Sequence, residues 1–431
     1  MDAIVIGAGV IGSAVAYELA GRGHSVTVVD RNGAPGHGST AGSCAIIRMH
    51  YSTWDGTALA WEGYHYWRDW AEYLEARDGE DLARFVECGC MVMKTDANDG
   101  LARHMANSAD LSIPFEEWGP EEIAKAMPGL NLERHAPAKR MDEAGFGEPT
   151  GGRLEGAVFW PNAGYVTDPA LSARNVADAA VRKGATLRLG ETVTEILTEG
   201  GRAAGVRLAS GEELRADVVV NVAGPASAKI NEMAGVTGDM TIQTRPLRQE
   251  VTHVPAPEGA YASPMGIVTS DSDASVYTRP EHGGNILIGS EDPPCDVLEY
   301  LDSDQGHSTD FTDQWTVQAL RWAQRMPALG VPSRMKGVVD LYDASTDWIP
   351  IYDRSSLPGF YMACGTSGNQ YKNAPIAGVL MAELIEAVEG GRDHDADPLK
   401  LRLPHVGREI DAGFYSRKRA VNEQSSFSVL G

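Results

Sequence analysis

The apolar positions of this 431-residue chain follow two different periods. Near the start, residues 3–6 (AIVI) and 25–30 (SVTVVD) are short, nearly unbroken apolar runs, the pattern of strands buried on both faces of a parallel sheet. Between them Ile11, Ala14, Val15 and Leu19 recur at helical spacing, and the pattern stops at Gly21 and Gly23. A strand, a helix and a second strand are therefore expected in that order. Further along the period falls to two. The stretches 85–95 (FVECGCMVMKT), 245–254 (RPLRQEVTHV), 274–280 (ASVYTRP) and 285–291 (NILIGSE) predict antiparallel strands with one covered face. Residues 121–130 and 312–329 read as surface helices ended by proline, and 61–77 (WEGYHYWRDWAEYLEAR) as a helix whose many aromatic rings pack in the core. A last helix follows from IAGVLMAELIEAV at 376–388.

Two glycine turns punctuate this pattern. Gly7, Gly9 and Gly12 have GxGxxG spacing between the first strand and its helix, and Asp30 ends the second strand. In that context the glycines let the backbone approach a pyrophosphate at the helix N-terminus, while the acid accepts hydrogen bonds from ribose hydroxyls. An acid there disfavours a 2′-phosphate, so NADP is not expected. NAD and FAD use the same turn. After Asp30, however, comes RNGAPGHGSTAGSCAIIRMHYS, a polar, glycine-rich segment where a nicotinamide dehydrogenase normally continues with another crossover helix. The second turn, GTSGNQYKNAPIAG at 365–378, sets Lys372 at the mouth of the last helix.

The length exceeds one ordinary domain core, so two domains are expected. A net charge of −23 disfavours nucleic acid and anionic membrane surfaces as partners. No apolar run approaches the roughly 20 residues of a membrane span. No secretory signal is visible, and five unevenly spaced cysteines fit a reducing cytoplasm. Cys88 and Cys90 form a CxC without a second pair, so no metal is expected and both read as buried strand cysteines. Against so acidic a background, a cation drawn into a cleft stands out.

Read together, these segments resemble the FAD-dependent D-amino-acid oxidase family, in particular its sarcosine oxidases, dimethylglycine oxidases and related N-methyl or cyclic amino-acid oxidoreductases. The likeness runs through the GxGxxG block to Asp30, then 38–52, 158–187, 191–196, 217–227, 276–292, 340–351 and the turn at 365–378. It implies an α/β fold: a Rossmann-like, glutathione-reductase-type FAD-binding domain with a second, mainly antiparallel-sheet substrate domain. The division this suggests is 1–85, 150–225 and 336–395 for the FAD domain, 86–149 and 226–335 for the substrate domain, and a tail from 396 to 431 that covers the FAD domain or meets another subunit.

The cofactor residues it implies are Gly7, Gly9, Val10, Ile11, Gly12, Asp30 and Arg31, then Ser39, Thr40 and Ser43 in the flavin loop. Val193 meets adenine through its backbone, Ala223 and Gly224 lie under the cofactor, and Gly368, Asn369, Gln370, Tyr371 and Lys372 lie close to the flavin ring. Arg48 and Lys372 match the pair that grips a substrate carboxylate; a desolvated carboxylate needs such donors, a fork from arginine and a point charge from lysine. Tyr277 and Tyr342 match pocket-lining positions, though each also reads as a half-buried strand tyrosine. His50 and its neighbour Tyr51 follow Arg48 closely, and Glu291 either meets a substrate ammonium group or ends a strand in solvent.

The implied activity is oxidation of the C–N bond of a small secondary, N-methyl or cyclic amino acid, with hydride transfer to flavin N5 and hydrolysis of the resulting imine. The electron acceptor is O2 or another carrier. A D-amino-acid or 2-hydroxy-acid dehydrogenase on the same scaffold stays open, as does a flavin subunit of a hetero-oligomeric sarcosine oxidase; the chain is then a homo- or hetero-oligomer. Two departures matter. Asp340 stands where some relatives tether FAD through cysteine, and Thr40 and Ala41 where others use histidine, so noncovalent FAD is implied, with Cys44 a reserve tether. The oxygen-activating lysine of the monomeric sarcosine oxidases would fall near Leu287, and no lysine occurs between 256 and 335, which puts brisk oxidase activity in question. Ala226 replaces a tryptophan and is expected to alter packing alone.

Overall fold

A computed structural model describes residues 1–430. Strand β1 (Asp2–Ile6) lies at the centre of a six-stranded sheet, between β2 (Ser25–Asp30) and Val218–Asn221. Both neighbours run parallel to it, with Val5 opposite Val28 on one side and Val220 on the other. Thr186–Leu189 extends one edge, and Phe360–Cys364 then antiparallel Ile351–Arg354 extend the other. The central strands are buried on both faces, as their unbroken apolar runs require.

Helix α1 (Val10–Gly21) packs on one face with Pro169–Arg182 and Ala374–Glu389. Gly378 of the last helix rests on the backbone of Ala14, so close that a methyl group there would lie 2.8 Å from it. On the other face a three-stranded meander, Val193–Glu199, Arg202–Leu208 and Glu213–Arg215, buries Ile196 and Val206 against Ile4 and Ile6.

The stretches of period two build a nine-stranded sheet. Its centre runs Thr244–Pro255, Asn285–Ser290, Val276–Glu281, Val268–Asp271, all antiparallel, and Cys90–Met93 continues it in parallel with Val268–Asp271. Two segments sit differently from the division expected above. Ala157–Trp160 pairs with Cys90–Met93, and Gly337–Ser345 pairs along its whole length with Thr244–Pro255, from Thr244 to Thr252. Both bring the chain back from the antiparallel sheet to the parallel one.

Two helices differ from their expected form. The aromatic helix begins earlier, as α2 (Trp54–Arg68), and breaks at Asp69 before a single turn, Trp70–Tyr73. Its rings do pack inward: Trp67 stacks on Trp70 at 4.3 Å and on Tyr371 at 5.2 Å. The helix Asp313–Arg325, expected on the surface, buries Trp315, Trp322, Arg321 and Arg325 against the large sheet. Arg325 is wholly buried and is neutralised there by Asp271 at 2.6 Å and Asp273 at 2.7 Å. Of the CxC pair, Cys90 lies in its strand and Cys88 in the half-buried turn before it. Among the described residues no helix is long and apolar enough to cross a membrane.

Candidate active site

The glycine turn after β1 is forced by packing. Gly7 has φ +113°, and a methyl group on it would meet the Val222 carbonyl oxygen at 2.3 Å; one on Gly12 would meet the Gly7 carbonyl oxygen at 2.0 Å. The helix therefore starts hard against the sheet, and its first N–H groups face a cavity of about 440 Å³. Asp30 braces the turn: its carboxylate accepts from Ala8 N and from Asn32 N, both at 2.7 Å. Thr40 reaches across from the following loop, and its hydroxyl accepts from Val10 N at 3.1 Å.

One continuous cavity runs from this turn to the large sheet. Its wall includes Gly7, Gly9, Val10, Ile11, Gly12, Asp30, Arg31, Ser39, Thr40, Ser43, Val193, Ala223 and Gly224 at one end. Arg48, Tyr277, Tyr342, Gly368, Gln370, Tyr371 and Lys372 line the rest. Three expected site residues are not on this wall. Asn369 lies behind it and offers its carbonyl to Lys372. The His50 ring packs tilted against Trp160 at 4.2 Å, and burial and then the nearby Arg48 push its pKa well below the usual imidazole range. Glu291 is buried one layer back, where its carboxylate accepts from Ser270 at 2.6 Å and Ser272 at 2.7 Å; Ser270, not Glu291, meets the cavity. Burial raises that carboxyl to about 7.

The two cations converge on one ring. The Arg48 guanidinium lies 4.6 Å from the centre of Tyr51, and the Lys372 ammonium 5.2 Å from the same centre. Lys372 Nζ donates to the Tyr51 hydroxyl at 3.1 Å and to Asn369 O at 2.7 Å. Its backbone is held too, because Trp67 Nε1 donates to Lys372 O at 2.8 Å. Trp67 and Tyr51 thus position a residue more than 300 places away, which no local pattern reveals. Gly368, at φ +69°, leaves room for the Tyr342 ring to lie on the turn, at 2.4 Å from where a methyl group would stand. Cys44 Sγ lies 3.6 Å from the Tyr277 hydroxyl, and burial pushes its thiol up, away from nucleophilic reactivity.

Lys372 is 4% exposed, and burial, reinforced by Arg48, lowers its pKa well below the usual lysine value. A carboxylate bound between the two cations favours the ammonium form. Above the lowered pKa, binding must therefore take up a proton, and affinity falls as pH rises; below it, affinity is flat. Titration with acetate, which carries no amine, is expected to weaken with pH already below the free-lysine value of 10.5, and Lys372→Met to flatten that profile while lowering affinity throughout.

A Rossmann-type turn opening into a cavity shared with buried cations defines a dinucleotide-dependent enzyme. The model of the FAD dependent oxidoreductase family matches residues 2–384, and the chain belongs to that family. It is similar to a glycine oxidase of Geobacillus kaustophilus, 24% identical over 95% of this chain and 99% of that protein. It is similar also to the sarcosine oxidase subunit beta of Rhodobacter capsulatus, 25% identical over 89% of this chain and 84% of that one. Among solved structures, the L-proline dehydrogenase from P. horikoshii superposes with a TM-score of 0.75 over 97% of both chains at 21% identity. The chain is an FAD-dependent oxidoreductase.

The residues present fit that cofactor. The cradle at Gly7 and Gly12 has no room for a side chain, whereas Gly9, which faces the cavity, is closed only by the Thr40 hydroxyl at 3.1 Å. Backbone N–H groups at the start of α1 suit a pyrophosphate, and Asp30 and Val193 line the same end.

Proposed function

We propose that the protein oxidises the C–N bond of a small amino acid bearing a secondary amine, N-methyl or cyclic, and binds its carboxylate between Arg48 and Lys372. The observation that carries this reading is the pair of buried cations on one aromatic ring, facing the same cavity as the dinucleotide turn. When bound, FAD supplies the hydride acceptor. The chain's own residues do the rest. Arg48 and Lys372 orient the substrate by its carboxylate. Tyr277 and Tyr342 form an apolar wall with polar tips. The same two cations, with desolvation, lower the pKa of the substrate amine, and only a neutral amine releases hydride.

Two features bear on the rest of the cycle. Leu287 is buried in the strand Asn285–Ser290, where an oxygen-activating lysine is expected by resemblance, and this favours an electron acceptor other than O2. Asp340 sits against the flavin loop, with Ser39 Oγ donating to it at 3.5 Å, and neither segment offers a cysteine or histidine at the expected tether positions. FAD is accordingly held without a covalent bond: acid precipitation is expected to leave the yellow colour in the supernatant, and a yellow pellet refutes it.

The function itself is tested by anaerobic mixing with sarcosine, dimethylglycine, L- and D-proline, D-alanine and 2-hydroxy acids while the flavin band is followed. Bleaching by secondary amines alone supports the proposal. Bleaching by D-alanine or a hydroxy acid instead overturns it. Slow recovery of colour in air, and fast recovery with a quinone, is expected from the loss of the lysine.

A further inference from the structure

The chain's own tail reaches the carboxylate anchor. After Ala412–Tyr415 the tail is fastened by two arginines. Arg417 is buried among Asp239 at 2.8 Å, Asp353 at 3.0 Å and Asp395 at 2.9 Å. Arg419 pairs with Asp347 at 2.7 Å, and Asn422 N donates to the same carboxylate at 3.3 Å. Beyond 422 the hold is slight. Arg103 donates to Gln424 O at 3.1 Å on the surface, and Phe427 stays 43% exposed. Then the chain dips inward. Val429 is buried beside Leu247, Tyr277, Ala344 and Trp348, and with Leu430 it lines the active-site cavity.

Arg48 is bound by this segment. Its Nη2 donates to the Val429 carbonyl at 2.9 Å and also to the Leu430 carbonyl, while Nη1 donates to His50 O. Both forks of a guanidinium, the end-on pair and the side-on pair, use Nη2. With both of its hydrogens taken, no bidentate carboxylate fits on Arg48. A buried guanidinium must keep its donors paired, and two neutral carbonyls do this without the strength of a charged partner.

We propose that residues 423–430 are an intramolecular strap that occupies the substrate site: its carbonyls hold Arg48 and Val429 fills the apolar wall until a carboxylate substrate displaces them. The inference rests on the reading of Arg48 as the carboxylate anchor. The bound carboxylate replaces two neutral acceptors by one charged, bidentate acceptor, so the exchange favours substrate. The strap lowers apparent affinity by the fraction of molecules in which it is withdrawn. The ion pairs of Arg417 and Arg419 stay made in both states and act as the fixed end.

The test is calorimetric titration of the FAD-loaded protein with acetate and with benzoate, comparing the full chain with one ending at Ala420, which keeps both arginine anchors. The shortened chain is expected to bind carboxylates about tenfold tighter or more. Arg48→Ala is expected to abolish that gain. Equal or weaker binding by the shortened chain, with Arg48→Ala still damaging to the full chain, overturns the strap and leaves the anchor standing. No effect of Arg48→Ala in either chain overturns the anchor and the strap with it. A second measurement needs no truncation: in the full chain, saturating acetate is expected to speed amide exchange across 425–430, and unchanged exchange there refutes the proposal.

Discussion

Arg48→Ala is expected to raise KM for the amino-acid substrate at least about 30-fold and to leave the FAD content unchanged. Removing one partner of a buried, hydrogen-bonded charge pair costs about 2–5 kcal/mol, and each 1.4 kcal/mol is a factor of ten. Most of the loss falls on KM rather than kcat, because the carboxylate is held in the ground state and the transition state alike. Lys372→Met acts in the same direction but less, since the ammonium is a point charge and part of its charge is already suppressed by burial and by Arg48. The double variant is expected to lose more than the product of the two, because removing Arg48 relieves the suppression of charge on Lys372 and so masks part of its own loss. Steady-state kinetics with an artificial acceptor check all three, and unchanged KM in both single variants refutes the anchor. A conservative Arg48→Lys change separates charge from shape. It restores the charge without the fork, and only partial recovery is expected.

The parts of this molecule that sequence makes legible are those in which a local pattern and its chemistry coincide. The first strand, helix and strand, with Gly7, Gly9, Gly12 and Asp30, stand where their spacing places them. So does Lys372, at a turn of two positive-φ glycines just before the last helix. What the sequence hides is long-range. Nothing near Ala157–Trp160 or Gly337–Ser345 says that they pair in the antiparallel sheet, because register is decided by partners far away in sequence, Cys90–Met93 and Glu116–Trp118 for the one and Thr244–Thr252 for the other. His50 is two residues from Arg48, yet its side chain packs tilted against Trp160 behind the wall. Regular extended alternation puts residues two apart on one face, but the strand ends at Ile47 and residues 48–50 are irregular, so proximity in sequence says little about which side meets the cavity. Glu291 is misplaced for a related reason: Ser270 and Ser272 hold it one layer back. The contact between Arg48 and the tail spans 382 residues and is made to carbonyl oxygens, which any residue type could supply. No side-chain pattern could announce it.

The glycine turn allows the cofactor's contribution to be separated from that of packing. Gly12→Ala is expected to give a protein that binds no FAD and unfolds at lower temperature. Its new methyl group would lie 2.0 Å from the Gly7 carbonyl oxygen and 3.0 Å from the Gly7 carbonyl carbon, and both belong to backbone. No flexible side chain can move aside, so α1 must shift off the sheet, at the cost of about 1–3 kcal/mol or more that overpacking brings. Gly9→Ala meets only the Thr40 hydroxyl at 3.1 Å, the end of a side chain that can turn. If the turn holds the pyrophosphate as proposed, the new methyl group would project where the pyrophosphate must approach the backbone. The expected result for Gly9→Ala is therefore a thermal midpoint of the cofactor-free protein close to that of the unaltered chain, with FAD affinity reduced tenfold or more. Thermal unfolding of both variants, stripped of FAD and then titrated with it, checks the distinction. Equal destabilisation of the two stripped proteins refutes it, for then both glycines serve packing and the space beside Gly9 is not where the cofactor lies.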